Sequence, residues 1–214
     1  MISNLIRPNV GRMAAALLIY ALSLVAAAQD VPDLRYTYLG AGYEWTDVKY
    51  AVKAPEDSID GYKIEGSLGI LDWLHVYGEY FDGDFSFNNS DATGFHAGVG
   101  FNFGIVGPWD LVARAAIVDV EIEGIGPTGS SFLLDDDGYT LEGMLRGMVS
   151  DRTEINVGYV YTDLDESGNG NRDVTIGLNF DVTDYATLKA RGIVFGSDTG
   201  VELGVRFYIG DSIF

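Results

Sequence analysis

From residue 95 the chain sets Phe95, Ala97, Val99, Phe101 and Phe103 on one parity and His96, Gly98, Gly100, Asn102 and Gly104 on the other. Residues 174–182 repeat the pattern, with Val174, Ile176, Leu178, Phe180 and Val182 against Thr175, Gly177, Asn179 and Asp181. Near the end, Val201, Leu203, Val205, Phe207 and Ile209 alternate with Glu202, Gly204, Arg206 and Tyr208. A period of two held over nine or ten residues is the pattern of a strand with one apolar and one polar face. No comparable 3.6-residue period follows Gln29. Applied along the chain, the same test predicts ten strands, at about 35–47, 61–70, 73–82, 94–105, 110–121, 138–149, 153–163, 172–182, 185–196 and 200–210. Each is long enough for a tilted strand to cross a bilayer.

The predicted connections alternate in length. Short ones fall at 71–72, 106–109, 150–152 and 183–184; longer polar ones fall at about 48–60, 83–93, 122–137 and 164–171. Short turns at one end and long loops at the other describe an up-and-down transmembrane barrel, turns periplasmic and loops outside. An even number of strands places both mature termini at the periplasmic end.

A soluble lipocalin-like barrel alternates too, but turns its apolar parity inward. Here the apolar parity carries aromatics near the strand ends: Trp45, Tyr62, Tyr80, Phe95, Tyr139 and Tyr161 towards the loops, and Trp73, Phe103, Phe180 and Tyr185 towards the turns, with Trp109 in a turn. Two such bands match the interfacial girdles of a membrane barrel. Charges on this parity keep to the outer tips, as a lipid-facing wall demands, since a charge at mid-bilayer costs about 2–4 kcal/mol.

The first 28 residues read as a cleaved secretory signal peptide. Arg7 and Arg12 are the only charges before Asp30, a largely apolar run follows from Met13, and Ala26-Ala27-Ala28 closes it with small residues. The run is too short for a spanning helix and lacks basic residues after it. Residues 29–214 then form the barrel domain. Losing two bases and no acid takes the net charge from −19 to −21.

Composition narrows the classes further. With 32 acids against 13 bases the chain repels phosphate, which argues against nucleic acid. With no cysteine there is no disulfide, thiolate zinc site, cysteine nucleophile or lipidated cysteine. Nothing in the sequence asks for a cofactor, and a monomer is expected.

Several segments carry a family resemblance. Tyr38-Leu39-Gly40-Ala41-Gly42-Tyr43, Gly98-Val99-Gly100-Phe101, Gly204-Val205-Arg206-Phe207-Tyr208-Ile209 and the terminal Phe214 resemble the small outer-membrane β-barrel proteins of Gram-negative bacteria, the OmpA/OmpX-like and opacity-type group. The resemblance spans the mature chain and implies an outer-membrane place, insertion by the barrel assembly machinery, and contact with lipopolysaccharide. Family members often have eight strands, the alternative to the ten counted here. Phe214 falls on the opposite parity from Phe207, so the assembly machinery is expected to read Phe207 or a slightly bulged end.

The inward parity holds the candidate chemistry. Six bases, Lys63, Arg114, Arg146, Lys189, Arg191 and Arg206, share it with seven acids, Glu44, Glu65, Glu79, Glu142, Glu154, Asp181 and Glu202. Near-balance inside an acidic protein predicts mutual pairing. Hairpin register brings Glu44, Glu65 and Glu79 near one another, sets Arg206 on the strand that closes against the first with Arg191 on the next, and places Arg146 beside Glu154 across a short turn. A narrow bore filled this way is a plug, and the protein an envelope structural or surface-interaction protein. The alternative is a small cation-preferring channel lined by the same residues. The fifth strand also turns Val112, Val118 and Val120 inward, which points to a different register or a bulge there.

An outer-membrane hydrolase stands third, and no enzyme is expected. Both histidines lie on the inward parity, His75 near the turn end and His96 near the outer rim, about 20 Å apart. His96 is within reach of Asp82 or Ser86 at most. Finally, Asp135-Asp136-Asp137 and the Asp163–Asp165 stretch are acid-rich loops of the kind that hold Ca²⁺ or Mg²⁺, candidates for bridging to lipopolysaccharide.

Overall fold

The computed structural model describes residues 34–48, 57–86, 90–125, 130–165, 170–196 and 198–210. The predicted signal peptide and Phe214 lie outside them. Ten antiparallel strands follow in order: β1 (Thr37–Val48), β2 (Asp57–Leu71), β3 (Leu74–Phe85), β4 (Asp91–Val106), β5 (Trp109–Ile125), β6 (Ser131–Ser150), β7 (Thr153–Leu164), β8 (Asn171–Thr183), β9 (Ala186–Gly196) and β10 (Thr199–Gly210). Each pairs with its sequence neighbours, and β1 closes on β10 through Tyr38↔Tyr208, Glu44↔Glu202 and Asp47↔Thr199. The barrel therefore has ten strands, as predicted, not eight.

Its polarity is inside out. Arg146, His75, Val112 and Thr187 are the largest wholly buried side chains, while Leu39, Ile64, Val99, Ile117, Leu141, Ile176, Leu188 and Leu203 stand exposed on the outer wall. An outer wall this apolar is the reverse of a lipocalin-like barrel. The short turns follow ladder irregularities at Gly69/Leu71, Gly104/Val106, Met148/Ser150 and Asp181/Thr183, where the paired strands close within two or three residues.

The loop expected at 122–137 is corrected. β5 and β6 continue as a paired hairpin from Asp119↔Asp137 up to Ile125↔Ser131. The reason is a switch of polarity at the girdle. Below it, apolar side chains face out and charges face in. Above it, Asp82, Asp84, Asp91, Asp119, Glu121, Glu123, Asp135 and Asp137 take the outward parity, and Phe85, Val118, Val120, Ile122 and Leu134 the inward one. The alternation persists, but a run of acids reads as a loop. The expected bulge in β5 is likewise corrected: its register is unbroken from Asp91↔Glu123 to Gly104↔Asp110. Val112 and Val118 are buried inward residues, and Val112 packs with Tyr36 and Met144.

Candidate functional site: the charged lumen

Alternation in ten strands aims every second side chain at the barrel axis, and register sets its height. At the outer level Lys63 of β2 is the hub. Its Nζ lies 3.1 Å from Glu79, 3.4 Å from Glu44 and 3.6 Å from Glu202. His96 Nδ1 sits 3.3 Å from Glu79, and Thr46 donates to Glu44 at 2.9 Å. Glu202 passes the network inward, because its other oxygen lies 2.6 Å from Lys189. Lys189 in turn meets Glu65 at 2.8 Å, and Arg206 donates to Glu65 at 2.7 Å.

A second chain crosses the far wall. Glu142 of β6 takes Arg114 at 3.3 Å and Arg191 of β9 at 3.4 Å, so this carboxylate ties opposite sides of the bore together. Arg114 Nε also donates to His75 Nε2 at 3.1 Å. Lower still, Arg146 and Glu154 pair through two hydrogen bonds, and Asn179 donates to Glu154 at 3.0 Å. Charges this far from water are tolerable only when each meets an opposite charge with its hydrogen bonds made.

The expected neighbourhood was partly different. Glu44 and Glu79 do share Lys63, but Glu65 lies lower and serves Lys189 and Arg206. Arg191 pairs across the bore with Glu142 at 3.4 Å. Arg146 does meet Glu154. Asp181 stays near the turn end, paired with Arg35 at 2.8 Å and hydrogen-bonded by Thr187.

Arg35 and Tyr36 escaped the sequence reading. They precede β1 and lean into the lumen. Tyr36 stacks on His75 with ring centroids 5.0 Å apart, donates to Asp110 at 2.6 Å, and lies 4.6 Å beneath the Arg146 guanidinium. Arg35 covers Tyr208 at 3.7 Å, as Arg206 covers Tyr38 at 4.3 Å and Arg114 covers Tyr77 at 4.9 Å. Cation–π contacts of this kind add to the pairing of each base. The signal was available: Tyr36, Tyr38, Tyr77 and Tyr208 share the inward parity with the bases.

The free space follows this filling. An outer cavity of about 190 Å³ is bordered by Lys63, Glu79, His96, Arg191 and Glu202. An inner one of about 750 Å³ lies at the turn end around Arg35, Tyr36, Asp110, Glu154 and Asp181. Between them lies a void of about 30 Å³ among Arg114, Glu142, Arg146, Lys189 and Arg206, room for a water or two.

The histidines form no site together. His75 sits opposite Gly100 and His96 opposite Glu79, four ladder steps apart. That is about 13 Å rather than the expected 20 Å. A β-carbon on Gly100 would fall 2.2 Å from the His75 ring. His96 faces Glu79 in the lumen while Asp82 faces outward, so the expected approach to Asp82 is corrected.

Of the aromatic residues, Trp45, Tyr62, Trp73, Tyr80, Phe95, Phe103, Tyr139, Phe180 and Tyr185 are exposed on the outer wall. Tyr161 is half-buried, donates to Asp163 at 3.2 Å and lies under Arg172. Trp109 departs from the girdle: it is buried across Gly147, where a β-carbon would meet its ring at 2.4 Å.

The acid-rich stretches do not converge. In a strand, consecutive residues face opposite sides, so Asp135 and Asp137 point out while Asp136 points in. Asp163 accepts from Tyr139 and Tyr161, and the Asp165 amide donates to the Asp137 carbonyl. Among the described residues no three acid or histidine side chains are placed to hold a metal ion. Opposed carboxylates do occur outside the girdle. Asp60, Asp84, Asp91 and Glu123 form one row across β2 to β5, and the hydrogen bond between Asp84 and Asp91 raises the Asp84 carboxyl above its ordinary range.

No protein-family model matches the chain, and no curated protein matches it. Among solved structures it is similar to Ail, the attachment invasion locus protein of Yersinia pestis, at 14% identity and TM-score 0.46, covering 81% of this chain and 100% of that one. It is similar to the KdgM porin at 12% identity and TM-score 0.45, covering 81% and 99%. The outer membrane protein OprG from Pseudomonas aeruginosa gives 12% identity and TM-score 0.45, covering 83% and 98%. At these values the roles of those proteins do not transfer to this chain.

Proposed function

We propose that this chain is an integral outer-membrane β-barrel, monomeric, with both termini periplasmic, whose lumen is closed by its own ion pairs. It serves the envelope as a structural or surface-interaction protein and not as an enzyme. The observation that carries this is the middle of the bore, which ion pairs cross from both walls around a void of about 30 Å³. The exposed apolar wall, banded by aromatics, supports the membrane setting. The non-enzymatic reading draws on the histidines, whose side-chain partners are Glu79, Arg114 and rings.

Planar-bilayer conductance of the refolded protein tests the closed lumen, with folding confirmed by heat-modifiable gel mobility. A folded, inserted and silent barrel is expected. Steady ohmic steps with cation preference would replace this reading with the second one, a narrow cation channel joining the two cavities.

The row Asp60–Asp84–Asp91–Glu123 lies just beyond the girdle, where lipopolysaccharide phosphates would otherwise be repelled. Divalent cations bridging the two are the proposed contact. Vesicle-inserted protein should retain Ca²⁺ only when lipopolysaccharide is present, and Asp84→Asn with Asp91→Asn should release it. Equal retention by the double variant would remove this contact from the proposal.

A further inference from the structure

β6 is paired on one side further than on the other. On the β5 side its ladder runs from Gly147 to Ser131, whereas on the β7 side it stops at Gly138↔Leu164, followed by a single hydrogen bond from the Asp165 amide to the Asp137 carbonyl at 2.9 Å. Among the described residues, 131–137 therefore have a strand on one side only, over about 20 Å of rise.

The backbone directions are fixed by that last bond. In an antiparallel strand a residue's N–H and C=O point to the same side, alternating along the chain. Asp137 points to the β7 side, so Asp135, Leu133 and Ser131 do as well, and among the described residues no strand meets them. A row of donors and acceptors that no described strand meets is a template for one more strand.

Side chains define which strand fits. On the outer face stand Leu133, Asp135 and Asp137, backed by Asp119 and Glu121 on β5; on the inner face stand Phe132 and Leu134, with Asp136 below them towards the girdle. Leu133 and Leu134 are both more than half exposed. A strand laid here would place alternate residues beside Asp135 and Asp137 and the rest beside Phe132 and Leu134. A second copy of this chain is a poor fit, because its own edge would bring the same carboxylates into opposition.

We propose that the free edge of β6 above the girdle docks an extended segment of another protein, alternating basic and apolar residues, by strand addition. The inference deepens the surface-interaction reading and rests on it for the edge facing outward. Peptide binding in detergent is independent of whether the lumen conducts.

The probe is an eight-residue peptide alternating Val and Lys, with the Val–Glu peptide as control, titrated by fluorescence anisotropy onto the refolded protein. Expected is binding by the Val–Lys peptide at least tenfold tighter than by the control. Leu133→Pro leaves every charge in place and removes an edge donor that β5 does not use; it should weaken binding at least tenfold, and Leu133→Ala should weaken it far less. Bound peptide should slow amide exchange at Leu133 and Asp135 while leaving Phe132 and Leu134 nearly unchanged. Equal affinity for Leu133→Pro, or uniform exchange across the hairpin, would mean attraction by charge alone and overturn the proposal; so would no binding to protein that runs as folded. If Leu133→Pro fails to show folded mobility, the exchange pattern of the unaltered protein decides.

Discussion

Arg146 and Glu154 clasp each other beside the β6–β7 turn through two parallel hydrogen bonds, Nη2 to Oε2 at 2.6 Å and Nε to Oε1 at 3.1 Å. Both side chains are almost wholly out of water. Removing one partner leaves an uncompensated buried charge, which costs about 3–5 kcal/mol. Glu154→Gln and Arg146→Met should each lower unfolding stability in urea by an amount of that order. The double change to Met at 146 and Leu at 154 should cost much less than the two added together, because a matched apolar pair carries no desolvation penalty. Equal and additive losses would mean that the two charges do not interact in the folded barrel.

Tyr36 closes the inner end of the bore without belonging to any strand. It touches Val112 and Met144, stacks on His75 and donates to Asp110. Tyr36→Phe removes one hydrogen bond to a carboxylate, worth about 1.5–3 kcal/mol. Tyr36→Ala also removes the ring and should cost about 3–5 kcal/mol. Bilayer recording separates sealing from stability: Tyr36→Ala is expected to add brief openings that Tyr36→Phe lacks. Silence in both variants would place the seal with the ion pairs alone.

What the sequence revealed depended on how local each relation was. Strands β7 to β10 lie within a residue or two of their predicted spans, because alternation there never changes meaning along the strand. Arg146 with Glu154 was legible for the same reason, the two residues being joined by a short turn. Arg191 with Glu142 was not, since parity gives a side chain's face and height but not which partner it reaches across the bore. The β5–β6 extension was hidden by its acids, which only a solvated outer face tolerates. Arg35 and Tyr36 lay inside the strand predicted at 35–47 yet were passed over: Arg35 falls on the outward parity there, ahead of the register shift between Thr37 and Tyr38, and Tyr36 carries no charge to mark it as part of an ion-pair network.

Gly100 is held by His75. The buried imidazole occupies the place of a β-carbon at Gly100, 2.2 Å away, and it is fixed from other sides by Arg114 and Tyr36. Gly100→Ala should therefore destabilise the barrel by about 1–3 kcal/mol or more through overpacking. His75→Ala should relieve part of that loss, so the double variant is expected to lie above the sum of the singles. A double-mutant cycle in urea checks it, and strict additivity would show that the ring moves aside freely.

Asp84 and Asp91 face each other near the top of β3 and β4, outside the girdle. Their hydrogen bond raises the Asp84 carboxyl, so the folded hairpin takes up a proton at higher pH than the unfolded chain does. A raised carboxyl stabilises the folded form below its unfolded value, near 3.9, and the contribution is lost as pH climbs through the raised folded value. The hairpin tip, closed by the Phe85 amide donating to the Ser90 carbonyl at 2.8 Å, should thus open less often at about pH 4 than at pH 7. Amide exchange at Phe85, corrected for the intrinsic pH dependence, reads this directly. Asp84→Asn carries no titrating proton and should flatten the dependence while keeping the hairpin closed at neutral pH. An unchanged pH dependence in that variant would place the titrating group elsewhere on the outer acidic face.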